Sequence, residues 1–395
     1  MTQILSHDQS RVDSIQRRLG FEKAENRVHG SQATLPENTA LRIGTGKYVV
    51  TVGLGTPKRD QSLIFDTGTG LTWTQCQPCI KCFKKNESIF NPSASKSYRN
   101  ITCEAPQCSQ LTSATGVSPD CATTTCVYGI DYGEGIFGGD DSSVGFLGYE
   151  KLTLSPSDVF PNFIFGCGIN NQGSFYGTDG ILGLSRDRFS AISQTASKFG
   201  KYFSYCLPTP QFSGKLTFGR GGTTSKNLKF TPSPINPKLP SFYFVDLIGI
   251  KVSGKRLPIS ESVFKTPGTI IESGTVITRL PSAAYAALRT SFLEGTNGSG
   301  YRTGGVSIFD TCYDYNTFDA VKIPAISFLF AGNIEVPINE VGILYFYSLA
   351  KVCLAFAGNN NASGVSIIGS MQQETLDVVY DIAGGKIGFG TGGCS

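Results

Sequence analysis

The pattern of apolar and polar positions divides the chain at about residue 45. Residues 2 to 27 space Ile4, Leu5, Val12, Ile15 and Leu19 among the basic Arg11, Arg17 and Arg18, a helical period that predicts an amphipathic helix. A polar linker is expected to follow through about Glu37. From Lys47 the period shortens. Tyr48-Val-Val-Thr-Val-Gly-Leu-Gly-Thr-Pro and Ser62-Leu-Ile-Phe-Asp read as two strands joined by a Gly/Pro turn. Comparable short runs follow at Phe163 to Phe165, Lys215 to Phe218, Phe242 to Val245, Gly268 to Ile271, Ile326 to Phe330 and Leu376 to Tyr380. Only Ser190 to Phe199, and Ser282 to Phe292 after Pro281, read as helices in this body. The expected class is all-β.

Composition supports that reading. Only 16% of the 395 residues are charged and 47 are Gly, the balance of a chain of short strands and tight turns. A net charge of +4 over this length gives no field that calls for a polyanion, and no apolar run approaches the roughly 20 residues of a membrane-spanning helix. The 12 Cys lie between Cys76 and Cys394, seven of them between Cys76 and Cys126. That density reads as six disulfides and a secretory history. The C-x2-C-x2-C run at Cys76, Cys79 and Cys82 also has the spacing of thiolate metal ligands, but the two His, His7 and His29, both precede the first strand, and no metal is expected. Sequons at Asn86, Asn100, Asn297 and Asn361 fit a glycoprotein on the same route. Met1 leads into a polar stretch, so no signal peptide is read in this sequence, and the basic arm is expected to be a prosegment.

The chemistry lies in an internal repeat. Leu63-Ile-Phe-Asp-Thr-Gly-Thr-Gly recurs as Thr269-Ile-Ile-Glu-Ser-Gly-Thr-Val, and each copy has a downstream partner, Gly180-Ile-Leu-Gly-Leu and Ser366-Ile-Ile-Gly-Ser. One lobe has been built twice. Each lobe then brings one carboxylate, Asp66 or Glu272, on a tight turn through Gly68 or Gly274 to a shared axis, where two acids about 3 Å apart cannot both ionise. One deprotonates a water while the other protonates a substrate carbonyl. Thr67 and Ser273 are placed to cross-link the turns through backbone, and Thr69 and Thr275 to donate to the outer carboxylate oxygens.

These motifs resemble the pepsin-like aspartic proteases, and closely their plant nepenthesin-type, atypical branch. The resemblance runs from about Thr45 to Ser395 and rests on Phe65-Asp-Thr-Gly with Trp73, Cys76-Gln-Pro-Cys, Tyr132-Gly-Glu-Gly, Phe165-Gly-Cys-Gly, Phe203-Ser-Tyr-Cys-Leu-Pro, Val276-Ile-Thr-Arg-Leu-Pro and Val352-Cys-Leu-Ala-Phe-Ala. It implies a bilobal fold with an arm at 1–44, an N-terminal lobe at 45–225 that carries a Cys-rich insert (76–126) and a flap, and a C-terminal lobe at 226–395. It implies acid-favoured hydrolysis of an extended peptide or protein substrate by a monomer, without cofactor, specific nucleic acid or membrane as partner. The arm resembles the tail of a family propeptide whose basic charge suits an acidic cleft. The expected compartment is extracellular, with vacuole or plastid as alternatives.

By resemblance Tyr132 is the flap tyrosine, followed by Gly133, and Trp73 the tryptophan that hydrogen-bonds it. Read without the family, they are an exposed hairpin aromatic and a core residue. The resemblance also implies the pairs Cys76–Cys79, Cys82–Cys167, Cys103–Cys126, Cys108–Cys121, Cys206–Cys394 and Cys312–Cys353. Two departures stand out. The second acid is Glu272 where the family has Asp, about 1.5 Å more reach in a site that tolerates roughly 0.5 Å, so intact folding with crippled or absent catalysis is expected. The flap from Tyr132 to Phe146 is long, acidic and Gly-rich. Rival readings are a non-enzymatic binder or inhibitor that keeps the cleft, and a DNA-binding role whose basic residues are confined to short pieces such as Lys81 to Lys85.

Overall fold

A computed structural model describes residues 2–17, 32–39, 47–83, 89–132, 141–173, 175, 177–209, 212–296, 302–314, 322–359 and 364–394. The fold is mostly β, in two lobes. Helix α1 (Thr2–Arg17) precedes strands β1 (Ala33–Thr39), β2 (Arg59–Asp66), β3 (Trp73–Gln75), β4 (Asp158–Gln172) and β5 (Gly180–Gly183). Their counterparts in the second half are β6 (Thr269–Ile271), β7 (Thr278–Leu280), β8 (Phe356–Gly358) and β9 (Ser366–Ile368), with helix α2 (Ser282–Gly295) packed beside β8. No described helix is long and apolar enough to cross a membrane.

The repeat in the sequence is a repeat in topology. In the first half β5 runs parallel to the acid strand β2, and β3 lies antiparallel to β5 and parallel to β4. In the second half β9 runs parallel to β6, and β7 lies antiparallel to β9 and parallel to β8. Each acid turn is thus gripped by the strand its downstream apolar-apolar-Gly motif forms, with Gly183 in register with Asp66. The glycine is needed there. A Cβ on Gly183 would lie 2.8 Å from the Thr69 carbonyl oxygen.

A platform joins the halves. Tyr202–Cys206 pairs on one side with Gly214–Phe218 and on the other with Leu376–Asp381, so sequence from both halves shares one sheet. Leu376–Asp381 is buried along its whole length between Tyr202–Cys206 and Lys386–Thr391, which explains why Val378, Val379 and Tyr380 follow one another instead of alternating with polar residues. β1 extends this sheet, with Ala33 opposite Phe218 and Leu35 opposite Leu216. The polar linker expected through Glu37 is therefore partly strand. Ala33 and Leu35 are buried at alternate positions, and backbone pairing on both edges outweighs the polar residues between them.

Other expectations shift modestly. Ser190 to Phe199 forms two short helices, Ala191–Gln194 and Ala196–Phe199, interrupted where the Thr195 hydroxyl donates to the Ala191 carbonyl. Asn100 is exposed on a two-residue strand, whereas Asn86, Asn297 and Asn361 lie outside the described residues, as does Gly133 of the flap.

Candidate active site

Both acids sit where a strand runs into a Gly turn. The turns are locked to each other: Thr67 N–H donates to Ser273 Oγ at 3.1 Å, Ser273 N–H donates to Thr67 Oγ1 at 3.0 Å, and Ser273 Oγ donates to the Phe65 carbonyl at 3.3 Å. Asp66 Oδ1 accepts from Gly68 N–H at 2.7 Å and Oδ2 from the Thr69 hydroxyl at 2.6 Å, while Glu272 Oε2 accepts from the Thr275 hydroxyl. Gly68 and Gly274 are required by close approach. A Cβ on Gly274 would fall 2.6 Å from Glu272 Oε1 and 2.7 Å from the Asp66 carboxyl, and one on Gly68 2.7 Å from Glu272 Oε1. Glu272 therefore occupies its turn with the outer-oxygen bond intact, its extra methylene absorbed inside the space the two glycines leave.

Helix α1 lies across these acids. Its buried positions, Ile4, Leu5, Asp8, Arg11, Val12, Ser14 and Ile15, form one stripe of i, i+3, i+4 spacing. Ile4 and Leu5 pack with Val276, Ile277, Phe309 and Tyr345, and Val12 and Ile15 with Leu239, Phe242, Ile270 and Ile367. Between those anchors, Arg11 Nη2 lies 2.8 Å from Asp66 Oδ2, 3.0 Å from Asp66 Oδ1 and 2.8 Å from Glu272 Oε1, and Nε donates to Glu272 Oε1 at 3.2 Å. One turn earlier, Asp8 accepts from the N–H groups of Val276 and Ile277 and from Arg279 Nη2 at 2.9 Å. His7 Nδ1 is 2.7 Å from Asp141 within the flap segment, Ser14 donates to the Asp131 carbonyl, and Gln16 both donates to and accepts from Val365.

The two carboxyls are driven apart electrostatically. Burial raises Asp66, but Arg11, a hydrogen bond from Glu272, the Thr69 hydroxyl and the Gly68 N–H together hold it below its ordinary 3.8. Burial also raises Glu272, and the charge of Asp66 adds to this while Arg11 offsets only part, so its carboxyl stays above the usual range. Burial disfavours the Arg11 charge, yet the two carboxylates hold it firmly protonated. The arrangement suits Asp66 as the ionised base and Glu272 as the proton-bearing acid.

The Tyr132 hydroxyl accepts from Trp73 Nε1 at 2.9 Å, both side chains being buried, and the Arg11 guanidinium lies 5.4 Å from the Tyr132 ring centroid. Three further contributors escaped the sequence reading. Gln373 donates to the Glu272 carbonyl at 3.2 Å and pairs with the Tyr205 hydroxyl, which in turn meets the Tyr380 hydroxyl at 2.8 Å, so the second acid turn rests on the platform. Arg279 is a fully buried cation between Thr278 and Leu280, a signal visible in Val276-Ile-Thr-Arg-Leu. Asp8 sits on the stripe of α1 that the apolar spacing marks as buried.

Six disulfides are formed, and four of the pairings differ from those the resemblance implied. Cys206–Cys394 and Cys312–Cys353 are present, whereas Cys76 bonds Cys167, Cys79 bonds Cys82, Cys103 bonds Cys121 and Cys108 bonds Cys126. Strand register decides the first. Thr74 of β3 faces Cys167 of β4 and the Cys76 N–H donates to the Gly168 carbonyl, which brings Cys76 beside Cys167 and leaves Cys79 with Cys82. Burial separates the others. Cys108 and Cys126 both face the lobe core, while Cys121 is exposed and Cys103 half-buried at its edge.

Comparison with known proteins agrees with this geometry. Profiles of the xylanase inhibitor N-terminal and C-terminal families match residues 48–220 and 242–391. An aspartyl protease family protein of Arabidopsis thaliana is 51% identical over 396 residues, covering 100% of this chain and 82% of that protein. Aspartic proteinase nepenthesin-1 of Nepenthes gracilis is 33% identical over 369 residues, covering 90% of this chain and 80% of its own length. The crystal structure of basic 7S globulin from soybean superposes with a TM-score of 0.69 at 21% identity, over 93% of this chain and 99% of that one, which speaks for the fold alone. A relative half identical along the whole chain, joined to twin acid turns on matching strand frames, leads to one conclusion: the chain belongs to the pepsin-like aspartic proteases, in their atypical plant branch.

Proposed function

We propose that the chain is an aspartic endopeptidase of reduced turnover that α1 holds in a latent state. The observation that carries this is the convergence of both carboxylates on one atom, Arg11 Nη2, at 2.8 Å each. A point within hydrogen-bond reach of both acids is where an attacking water must be held. With α1 withdrawn, Asp66 takes a proton from that water as it attacks the scissile carbonyl, and Glu272 gives its proton to the carbonyl oxygen. The tetrahedral diol then collapses with proton return to the leaving amine, without a covalent intermediate. Glu272 reaches the shared point on a stem one methylene longer than that of Asp66, and a displacement of about 1 Å once Arg11 has left lowers the rate on the order of a hundredfold.

The arm functions in this reading as the chain's own propeptide, and the lobes at 45–225 and 226–395 act as one monomeric unit on an extended polypeptide. A disulfide-rich body supports a place of work outside the cytosol, with the apoplast first among the alternatives. The test is peptide cleavage from pH 3 to 7 by chain cut at an inserted site between Arg17 and Gln32, beside Glu272→Asp and Asp66→Asn, with and without a statine peptide. Slow, statine-sensitive cleavage, accelerated about a hundredfold by Glu272→Asp and abolished by Asp66→Asn, is expected. If neither the parent nor Glu272→Asp cleaves or binds statine, the protease reading fails and a cleft used purely for protein binding takes its place.

A further inference from the structure

Beside the acids, the C-terminal lobe carries a second polar device that hydrolysis does not require. Arg279 lies on β7 with its side chain 1% exposed. Its Nη1 donates to the Ile277 carbonyl at 3.1 Å, and its Nη2 meets Asp8 Oδ2 at 2.9 Å and Gln9 Oε1 at 3.3 Å. Nε is buried and bonds no described residue. Burial disfavours the Asp8 charge, and the same carboxylate accepts from the Val276 and Ile277 N–H groups, which with Arg279 offset part of that cost. Two backbone N–H groups and one guanidinium nitrogen thus converge on one carboxylate, Val276 at one oxygen and Ile277 and Arg279 Nη2 at the other, each a charge-assisted hydrogen bond.

Every anionic or side-chain acceptor that the structure gives Arg279 is borne by α1. When α1 leaves the cleft, as the latent-protease reading requires, Arg279 loses its counter-charge and part of its cover together, and a ligand carboxylate that enters the vacated groove replaces both. We propose that the Val276 N–H, Ile277 N–H and Arg279 form a carboxylate-binding subsite, that Asp8 occupies it in the latent chain, and that it selects polypeptide substrates bearing an acidic side chain near the scissile bond. Asp8 precedes Arg11 by three residues, about 4.5 Å along a helix axis. That distance is spanned by one or two residues of an extended peptide, with side-chain reach adding about one more.

The inference rests on displacement of α1, so its test reads binding and not turnover. The full chain is folded intact and cut between Arg17 and Gln32. A labelled peptide of residues 2 to 17 is then displaced by amidated six-residue statine peptides that carry Asp or Asn scanned through each position, and by the same peptides with a free C-terminal carboxylate. At one position Asp is expected to bind at least about tenfold more tightly than Asn, with the difference falling below about twofold in Arg279→Gln and partly kept in Arg279→Lys. A preference that appears solely with the free terminus assigns the subsite to a chain end instead of a side chain. Equal affinity of Asp and Asn at all positions, or a preference that survives Arg279→Gln, overturns the proposal. If Arg279→Gln does not fold, the Asp8→Asn form of the labelled peptide supplies the decision: it is expected to bind about tenfold more weakly than the Asp8 form to the parent and by a reduced factor, between about twofold and tenfold, to Arg279→Lys, and equal binding of the two forms to the parent overturns the proposal. Loss of statine affinity with the Asp preference intact refutes the catalytic reading alone.

Discussion

Replacing Arg11 by Gln isolates the contact between arm and acids. The guanidinium is 4% exposed and bonds both carboxylates, so its removal leaves two acids buried under the amphipathic helix α1 without that cation. Breaking a buried ion pair from one side costs about 3 to 5 kcal/mol. The lower end applies here, because Glu272 already holds its proton readily and neutralises part of the uncovered charge. The apolar anchors Ile4, Leu5, Val12 and Ile15 continue to favour docking, against the ordering of a 16-residue helix that is marginal on its own. A loss of about 3 kcal/mol lowers the ratio of docked to open arm roughly 150-fold, since 1.36 kcal/mol is tenfold. A ligand that requires an open cleft binds with its intrinsic constant divided by the open fraction, so the intact, uncut Arg11→Gln chain should bind a statine peptide up to about a hundredfold more tightly than its parent. Fluorescence titration at pH 5, with hydrogen exchange over residues 2 to 17 and the exposed-pair variant Lys58→Gln as control, reads this directly. Equal statine affinity of parent and Arg11→Gln, with exchange in α1 unchanged, would refute the argument that Arg11 closes the site.

Acid should loosen the arm. Docked Arg11 helps to hold Asp66 below 3.8, so the docking free energy contributed by that contact is complete above the free value and is lost as pH falls through the docked one. Asp8 acts in the opposite sense, because burial raises its carboxyl in the docked helix, and the Asp8→Asn arm should therefore dissociate more steeply with acid when release of the cut helix is followed between pH 6 and 3. Glu374, buried against the Tyr48 hydroxyl at 2.6 Å, is raised by burial from 4.5 to about 7. Its contribution to stability is present below 4.5 and lost as pH rises through 7, so Glu374→Gln should remove roughly 3 kcal/mol of alkaline destabilisation, visible as a denaturation midpoint that changes less between pH 5 and 9. An unchanged pH slope in that variant rules the assignment out.

The amino-acid sequence by itself determined the β-rich class, the twin acid turns and their downstream partner strands, because apolar period and the repeated acid-hydroxyl-Gly-Thr unit are local signals that need no knowledge of what packs where. It marked the amphipathic stripe of α1 for the same reason. Tertiary structure decided what local signals do not encode. Cys76 joins Cys167 because the register of β3 on β4 brings them together across a separation of 91 residues. Residues 33 to 39 become strand because the edge formed by Gly214–Phe218 accepts them, against their own polar character. Arg11 and Asp8 read as ordinary charges of a helical arm until the fold sets them against Asp66, Glu272 and Arg279, more than 50 and as many as 271 residues away. A side chain's role in such a site is fixed by the charges that surround it once water is excluded, and those charges come from parts of the chain that meet through packing alone.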